Sequence, residues 1–243
     1  MIILSFFVDA MKKIYYHLKV LEHVQETGGI MKNVRETILT SAKKLILKNG
    51  YSKTTIRGII KESGVLSGSI YHFFDSKEDI FNSLILELFD DCERKVIEKF
   101  GGIKSEEFLY ALMTKIQLRA VENNERIREL YYEAYTSNII FEKIVNQGAK
   151  KTRQIFEKYS PSYTLNDYYN VNLMIKGAMR SCIVDCGFDN KNSSEKRNNI
   201  FLNMMLTLMN MPANEIDSII KDINMMDIEI EYIINELINE KFE

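Results

Sequence analysis

Proline and glycine are scarce in this chain, and their scarcity favours a helical fold. Its 243 residues include only 2 prolines and 11 glycines, the residues that most often interrupt regular structure. Apolar residues recur at helical spacing along nearly the whole chain, which is typical of amphipathic helices. The sequence therefore predicts an all-α protein, built as one large domain or two small ones.

Cysteine is sparse as well. The three cysteines are Cys92, Cys182 and Cys186, and so small and odd a number argues against a disulfide framework and indicates a reducing compartment. Cys182 and Cys186 share a helical face at a spacing of four, as half of a metal or redox site would. Two small buried apolar residues are the favoured interpretation, because no histidine lies near them in the sequence. We expect no metal and no cofactor.

Long apolar runs and catalytic motifs are missing. The opening MIILSFFVDAMKK is too short in its apolar part to span a bilayer, and it lacks the positive start and cleavage site of a signal peptide. We therefore expect a cytoplasmic protein without a membrane partner. The sequence has no GxSxG, P-loop, HExxH or CxxC motif, so we expect no catalytic residues and no enzyme activity.

Charge is divided unevenly along the chain, although the net charge is only −2. Residues 31–80 carry nine basic and five acidic side chains, whereas residues 81–243 carry 20 basic and 26 acidic ones. A small basic module attached to a larger acidic body suits contact with a polyanion through the module alone.

Helix signals divide the first hundred residues. Residues 3–26 have the pattern of one amphipathic helix; either residues 1–30 are an added N-terminal extension or Met31 is the natural start. The next helix opens at Asn33 or nearby and stops at Gly50. Further helices are predicted after an N-cap at Thr54 or Thr55, from about Ser67 to Phe73, and from Lys77 to about Phe100 behind a cap at Ser76.

The stretch SGVLSGSIYHFF, which begins at Ser63, departs from an ordinary amphipathic pattern. A helix, a turn with glycine and a short second helix form a helix-turn-helix. Small side chains at Ser67, Gly68 and Ser69 would let the second helix approach base edges in the major groove of DNA. On the opposite side of this helix, three apolar residues would face a small core: Ile70, Phe73 and Phe74.

Polar groups beside this stretch suit phosphate contacts. Tyr71 and His72 carry ring atoms that hydrogen-bond phosphates and so position a protein on DNA. Lys77 lies at the start of the fourth helix, where the positive end of the helix dipole favours an anion. The same residues also have a plain structural interpretation, with Tyr71 in the core and Lys77 as a solvated charge.

These residues resemble the DNA-binding domain of the TetR family of transcriptional regulators. The resemblance covers about Lys32 to Phe81, and the residues that carry it are Ile38, Ala42, Leu45, Ile46, Gly50, Thr54 to Arg57, Ile59, Gly64, Val65, Gly68 to Phe74 and Ser76 to Glu78. It implies a homodimer, a palindromic operator and a helical C-terminal domain that responds to a ligand or partner. It also places DNA contacts at Thr55, Arg57, Ser67, Ser69, Tyr71, His72 and Lys77.

Three positions depart from the family pattern. Leu66 stands where a serine usually caps the reading helix, so Ser67 becomes the candidate cap and is partly lost as a base contact. Gly58 lies inside the second helix, where it costs about 1 kcal/mol relative to alanine. Ile60 replaces a usual alanine at a helix crossing, and the local packing must adjust.

The larger part, residues 81–243, is predicted as a helical domain for effector binding and dimerisation. Helices are expected at 105–123, 125–137, 139–159, 167–186, 195–210 and 213–240. Rings, thioethers and an amide in this part suit a pocket for a small apolar or aromatic ligand, with ordinary core as the alternative. The candidate lining residues are Tyr110, Met113, Gln117, Tyr131, Tyr135, Phe141, Tyr168 and Met174.

The family arrangement implies that two late helices from each subunit form a four-helix dimer interface. Helices 167–186 and 195–210 are the candidates. Small residues at Gly177, Ala178 and Ser181 allow close approach on the first of them. The second is apolar through Met204, Met205, Leu208 and Met209.

Two functions follow from these patterns. The first is a ligand-responsive repressor that binds a palindromic operator as a homodimer. The alternative is a DNA-anchored interaction protein whose helical body binds a protein partner. The acidic last helix and the N-terminal extension motivate the alternative.

Overall fold

The computed structural model describes residues 33–185 and 194–242, and all of the regular secondary structure in these ranges is helical. The prediction of an all-α fold is confirmed for this part of the chain. The predicted helix at residues 3–26 and Cys186 lie outside the described residues. The chain divides into two compact units, one that ends at Lys77 and one that begins at Glu78.

The described residues of the first unit form three helices around a small apolar core. Helix α1 is described over residues 33–49, α2 spans Ile56–Ser63 and α3 spans Ser67–Phe73. Gly50 and Gly64 end the first two helices with φ angles of 80° and 69°, a left-handed conformation that glycine adopts without a steric penalty. The buried apolar residues of this unit are Ile38, Leu39, Ala42, Ile46, Ile59, Ile70 and Phe74.

Helix α4 spans Lys77–Phe100 and continues into the second unit. The helices that follow are α5 (Glu106–Asn123), α6 (Glu125–Thr136), α7 (Asn138–Phe156), α8 (Leu165–Asp185), α9 (Ser194–Leu208), α10 (Ala213–Asn224) and α11 (Asp227–Phe242), with a short 3₁₀ turn at Glu157–Tyr159. Most side chains of α5 are buried, and α5 contacts all of the helices from α6 to α11. It is therefore the central helix of this unit.

Helices α7 and α8 make the most extensive helix contact in the described residues. A Cβ atom on Gly148 would lie only 2.6 Å from Oδ1 of Asn172, so the two helices approach each other where α7 has no side chain. The Asn172 amide is fully buried, and its Nδ2 donates to Oγ1 of Thr152 at 2.7 Å and to the carbonyl oxygen of Tyr168 at 2.9 Å. These two hydrogen bonds fix the amide against the glycine.

The prediction of one last helix over 213–240 is wrong, because the structure has two. Helix α10 ends at Asn224 and α11 begins at Asp227, with Met225 at φ −91° and ψ 0° between them. Neither glycine nor proline marks this turn, so the sequence lacks the usual signal for it. Among the described helices, none combines the length and apolar character that crossing a membrane requires.

Candidate functional site

Thr55 begins the helix-turn-helix by capping α2. Its backbone is extended, and its Oγ1 accepts a hydrogen bond from the N–H of Gly58 at 3.1 Å. The other candidate cap, Thr54, is buried and donates its hydroxyl to the carbonyl oxygen of Gly50 at 2.9 Å. Thr55 and Arg57 are both exposed, so the first turn of α2 presents two side chains to solvent.

Helix α3 has one buried face and one exposed face. Ile70 is fully buried, whereas Tyr71 is 58% exposed. Ser67, Gly68 and His72 are also exposed, and Ser69 is half-buried. The predicted DNA-contact residues of α3 are therefore exposed to solvent, except Ser69, which is exposed only in part.

Among the described residues, no packing contact requires glycine at position 68. A Cβ atom added to it would meet no atom within 4 Å, and its backbone is helical. Glycine weakens a helix relative to alanine, and neither a steric contact nor a positive φ requires it here.

The N-terminus of α3 differs from the expectation. The N-cap is Leu66, which is 80% exposed and offers no side-chain hydrogen bond. Ser67 is the first helical residue and does not cap the helix. Its hydroxyl thus remains on the exposed surface.

Lys77 is held at the start of α4 by Tyr51. Its Nζ donates to the carbonyl oxygen of Tyr51 at 3.0 Å and lies 3.9 Å from the centre of the Tyr51 ring. The His72 ring packs edge-on against Phe73 at 5.0 Å between ring centres. These contacts orient the Lys77 ammonium at the start of α4 and the His72 imidazole on α3.

The second unit has a half-open cavity of about 110 Å³ between α4, α5, α7 and α8. Three of the predicted ligand residues line it: Tyr110, Met113 and Gln117. Four charged side chains, which sequence reasoning missed, line it as well: Asp90, Glu93, Lys151 and Lys176. The lining is therefore more polar than the predicted apolar or aromatic pocket.

The other predicted ligand residues do not line this cavity. Tyr131 packs against Phe89 and stacks on Tyr135, with ring centres 5.5 and 6.1 Å apart, because these aromatics of α6 fill the core. Phe141 packs against Tyr135. The structure places Tyr168 beside Tyr163, and Met174 is 54% exposed on α8.

The charges in the cavity differ in their partners. Lys151 forms an ion pair with Glu93, whereas Lys176 has no ion-pair or hydrogen-bond partner among the described residues. Burial lowers the pKa of Lys176 to about 8, and the charge of Lys151 acts in the same direction. Burial also raises the pKa of Asp90, with a further contribution from Glu93. In the sequence, a lone lysine inside NLMIKGAM was the available signal for Lys176.

Comparison with known proteins agrees with the geometry of the first unit. Residues 38–84 match the model of the family described as bacterial regulatory proteins, tetR family. The chain carries a TetR-family DNA-binding domain. The match begins inside α1 and extends into α4, so it includes α2 and α3 completely.

Three curated relatives are named as HTH-type transcriptional regulators or repressors. The chain is 29% identical over 114 residues to an uncharacterized HTH-type transcriptional regulator of Lactococcus lactis, which covers 46% of this chain and 56% of that protein. It is 38% identical over 81 residues to the HTH-type transcriptional repressor KstR2 of Rhodococcus jostii, which covers 33% of this chain and 40% of the repressor. These alignments thus span about half the length of the two relatives.

The third relative aligns over a longer region. The HTH-type transcriptional regulator QacR of Staphylococcus aureus is 28% identical over 186 residues, which cover 72% of this chain and 97% of QacR. Among solved structures, RolR in complex with resorcinol has a TM-score of 0.57 at 14% identity and covers 79% of this chain and 95% of RolR. At this identity, the structural likeness shows the fold.

Beyond the TetR-family domain, α8 and α9 expose apolar side chains. On α8 these are Leu165, Leu173, Met174 and Val184, and on α9 the most exposed is Ile200. Met205 and Met209, which were predicted for the dimer interface, are buried within the chain. Within the described residues, no group of three or more histidine, cysteine or acidic side chains is placed to hold a metal ion.

Proposed function

We propose that the chain is a ligand-responsive transcriptional repressor that binds a palindromic operator as a homodimer through α2 and α3. The observation that carries this proposal is the exposed, small and polar face of α3, opposite the buried Ile70. The TetR-family match at residues 38–84 and the repressor among the relatives support it. We propose no catalytic role.

The residues of the helix-turn-helix divide into two roles. Ser67, Gly68 and Ser69 lie where the helix would meet base edges, because small residues permit the closest approach. A second group would position the domain by contacts to phosphates: Thr55, Arg57, Tyr71, His72 and Lys77. Lys77 donates one hydrogen bond to the Tyr51 carbonyl, which orients its ammonium and leaves two protons for a phosphate.

The dimer would form through α8 and α9. Leu173, Met174 and Ile200 are exposed apolar side chains on these helices, and contiguous exposed apolar surface marks interaction sites. A Cβ atom on Gly177 would meet nothing within 4 Å, so a helix of a second copy can approach α8 closely there. In a dimer that reads two half-sites, the reading helices lie about 34–36 Å apart.

A ligand in the cavity would regulate operator binding through α4. Phe89, Asp90 and Glu93 of α4 line it, and α4 is one continuous helix from Lys77. A ligand with different affinities for two positions of α4 would shift the equilibrium between them. In the dimer, that shift would change the separation of the two α3 helices and so the affinity for the operator.

The decisive experiment is a binding titration of the purified chain against DNA from beside its own gene, at two salt concentrations. We expect binding to one short palindrome that weakens steeply with salt, because phosphate contacts release counterions. A Tyr71→Ala variant should lower the affinity at least tenfold. The matched control is Tyr132→Ala, which removes a comparably exposed tyrosine from α6. Equal affinity for all DNA sequences would contradict the proposal.

A second candidate function is favoured by one observation. Met225, Ile228 and Tyr232 are exposed apolar residues around the turn between α10 and α11, beside acidic residues of α11. Such a surface suits a protein partner, with DNA as the anchor. In a reporter assay, a Met225→Ser/Ile228→Ser variant that loses regulation but keeps operator affinity would favour this alternative.

A further inference from the structure

Lys176 is a cation without a partner in a lining where the other cation is already paired. Glu93 neutralises Lys151, and among the described residues the Lys176 ammonium has no hydrogen-bond or ion-pair partner. Lys176 is half-buried, and an unpaired charge that is partly removed from water raises the free energy of the folded chain. An anion that enters the cavity would provide the missing partner.

Tyr110 offers a second donor in the same lining. Its side chain is only 6% exposed, and its hydroxyl is buried without a hydrogen-bond partner among the described residues. The ring packs edge-on against Phe156, with centres 5.7 Å apart, which limits its rotation. Buried hydroxyls usually have a partner, so this one is poised for a ligand acceptor.

We propose that this cavity binds the carboxylate of a small aliphatic acid, with the Lys176 ammonium and the Tyr110 hydroxyl as its two donors. The inference rests on the proposed function, because it names the chemical class of the effector. Charge-assisted hydrogen bonds to a carboxylate are among the strongest in proteins, and both donors would be satisfied in one step.

The remaining lining favours this class over others. Phe89, Met113 and Ile144 offer apolar surface to an alkyl chain. The volume of about 110 Å³ is smaller than the roughly 150 Å³ of an engineered cavity that holds benzene, so the part of the ligand that this half-open cavity covers is compact. A cationic ligand is disfavoured because Glu93 is already paired with Lys151.

The test compares three probes of nearly equal size that differ in charge: butyrate, butyramide and butylamine. Each is titrated calorimetrically into the purified full chain at pH 7. We expect butyrate to bind most tightly. Lys176→Met and Tyr110→Phe should each raise its dissociation constant, the former at least tenfold. Lys150→Met, which removes an exposed lysine of α7, should leave it unchanged.

A pH series on the unmodified chain provides a second measurement if a variant does not fold. The charged and titratable groups that line the cavity with Lys176 are Asp90, Glu93, Lys151 and Tyr110. Because the pKa of Lys176 is about 8, the affinity for butyrate should fall by about tenfold between pH 7 and pH 9. Lys176→Arg, which stays charged, should abolish this fall.

Several results would overturn the inference: butyramide or butylamine binding as tightly as butyrate, butyrate binding that Lys176→Met leaves intact, or no binding of butyrate at millimolar concentration. Operator binding together with any of these would leave the repressor proposal standing. Conversely, specific butyrate binding by a chain that binds no operator would support the carboxylate site and contradict the repressor.

Discussion

At the scale of single residues, glycine at position 68 has opposite effects on the stability of the chain and on its proposed contact with DNA. The space around its Cα is open, so the folded chain gains nothing from glycine at this position. An approaching duplex would fill the same space. A larger residue at position 68 should therefore raise the free energy of unfolding and lower the affinity for the operator.

We predict that Gly68→Ala stabilises the first unit by roughly 0.5–1 kcal/mol, measured by urea unfolding, and weakens operator binding, measured by fluorescence anisotropy. Gly58→Ala is the matched control in α2, where the new Cβ would lie 3.3 Å from Oγ1 of Thr55. Its gain in stability should be smaller. If Gly68→Ala kept full operator affinity, the close approach would be elsewhere.

Lys176 makes the free energy of unfolding depend on pH, and the sign of this dependence follows from its lowered pKa. Below about pH 8 it is protonated in both the folded and the unfolded chain. Between about pH 8 and 10 the unfolded chain binds more protons, because the folded pKa is lower, so the free energy of unfolding rises with pH. Cys92 opposes this rise, since burial raises the pKa of its thiol to about 12.

The contribution of Lys176 to the free energy of unfolding is therefore measured as the difference between the unmodified chain and a variant that lacks this lysine. We predict that the free energy of unfolding of the unmodified chain, minus that of Lys176→Met, increases from pH 8 to pH 10 in urea titrations. Lys150→Met is the control and should give a flat difference. A flat difference for Lys176→Met would show that its ammonium is hydrated in the folded chain.

At the scale of secondary structure, α3 has an incomplete N-terminus. Leu66 has the extended backbone of an N-cap but no side-chain oxygen for the first N–H groups. It is also mostly exposed, so little packing is lost when it is replaced.

Leu66→Ser should therefore stabilise the first unit, by about 1 kcal/mol, through a new cap hydrogen bond. Thermal unfolding followed by circular dichroism measures the change. Leu66→Ala, which shortens the side chain without adding an oxygen, is the control and should stabilise less. Equal effects of the two substitutions would show that the cap does not form.

Helix positions were largely predictable because local signals set them. Capping residues such as Thr55 and stop glycines such as Gly64 act within a few residues of the chain, and the pattern of the helix-turn-helix is local too. The break near Met225 has no such signal. The cavity also escaped prediction, because Glu93 and Lys151 meet only when distant helices pack.

At the scale of the whole molecule, the proposed dimer depends on the exposed apolar residues of α8 and α9. We predict that Leu173→Asp/Ile200→Asp yields a monomer by light scattering and lowers operator affinity at least tenfold, because two half-sites can no longer be bound together. Ile139→Asp is the control, since Ile139 is exposed on α7. A dimer that survives the double substitution would place the interface elsewhere.

The close crossing of α7 and α8 has a consequence for how this chain can evolve. Any residue larger than glycine at position 148 would collide with the amide of Asn172, and that amide cannot turn away without losing its bonds to Thr152 and the Tyr168 carbonyl. A larger residue at position 148 therefore requires a change at position 172. Across descendants and relatives of this sequence, positions 148 and 172 should covary, with a bulkier residue at one matched by a smaller residue at the other.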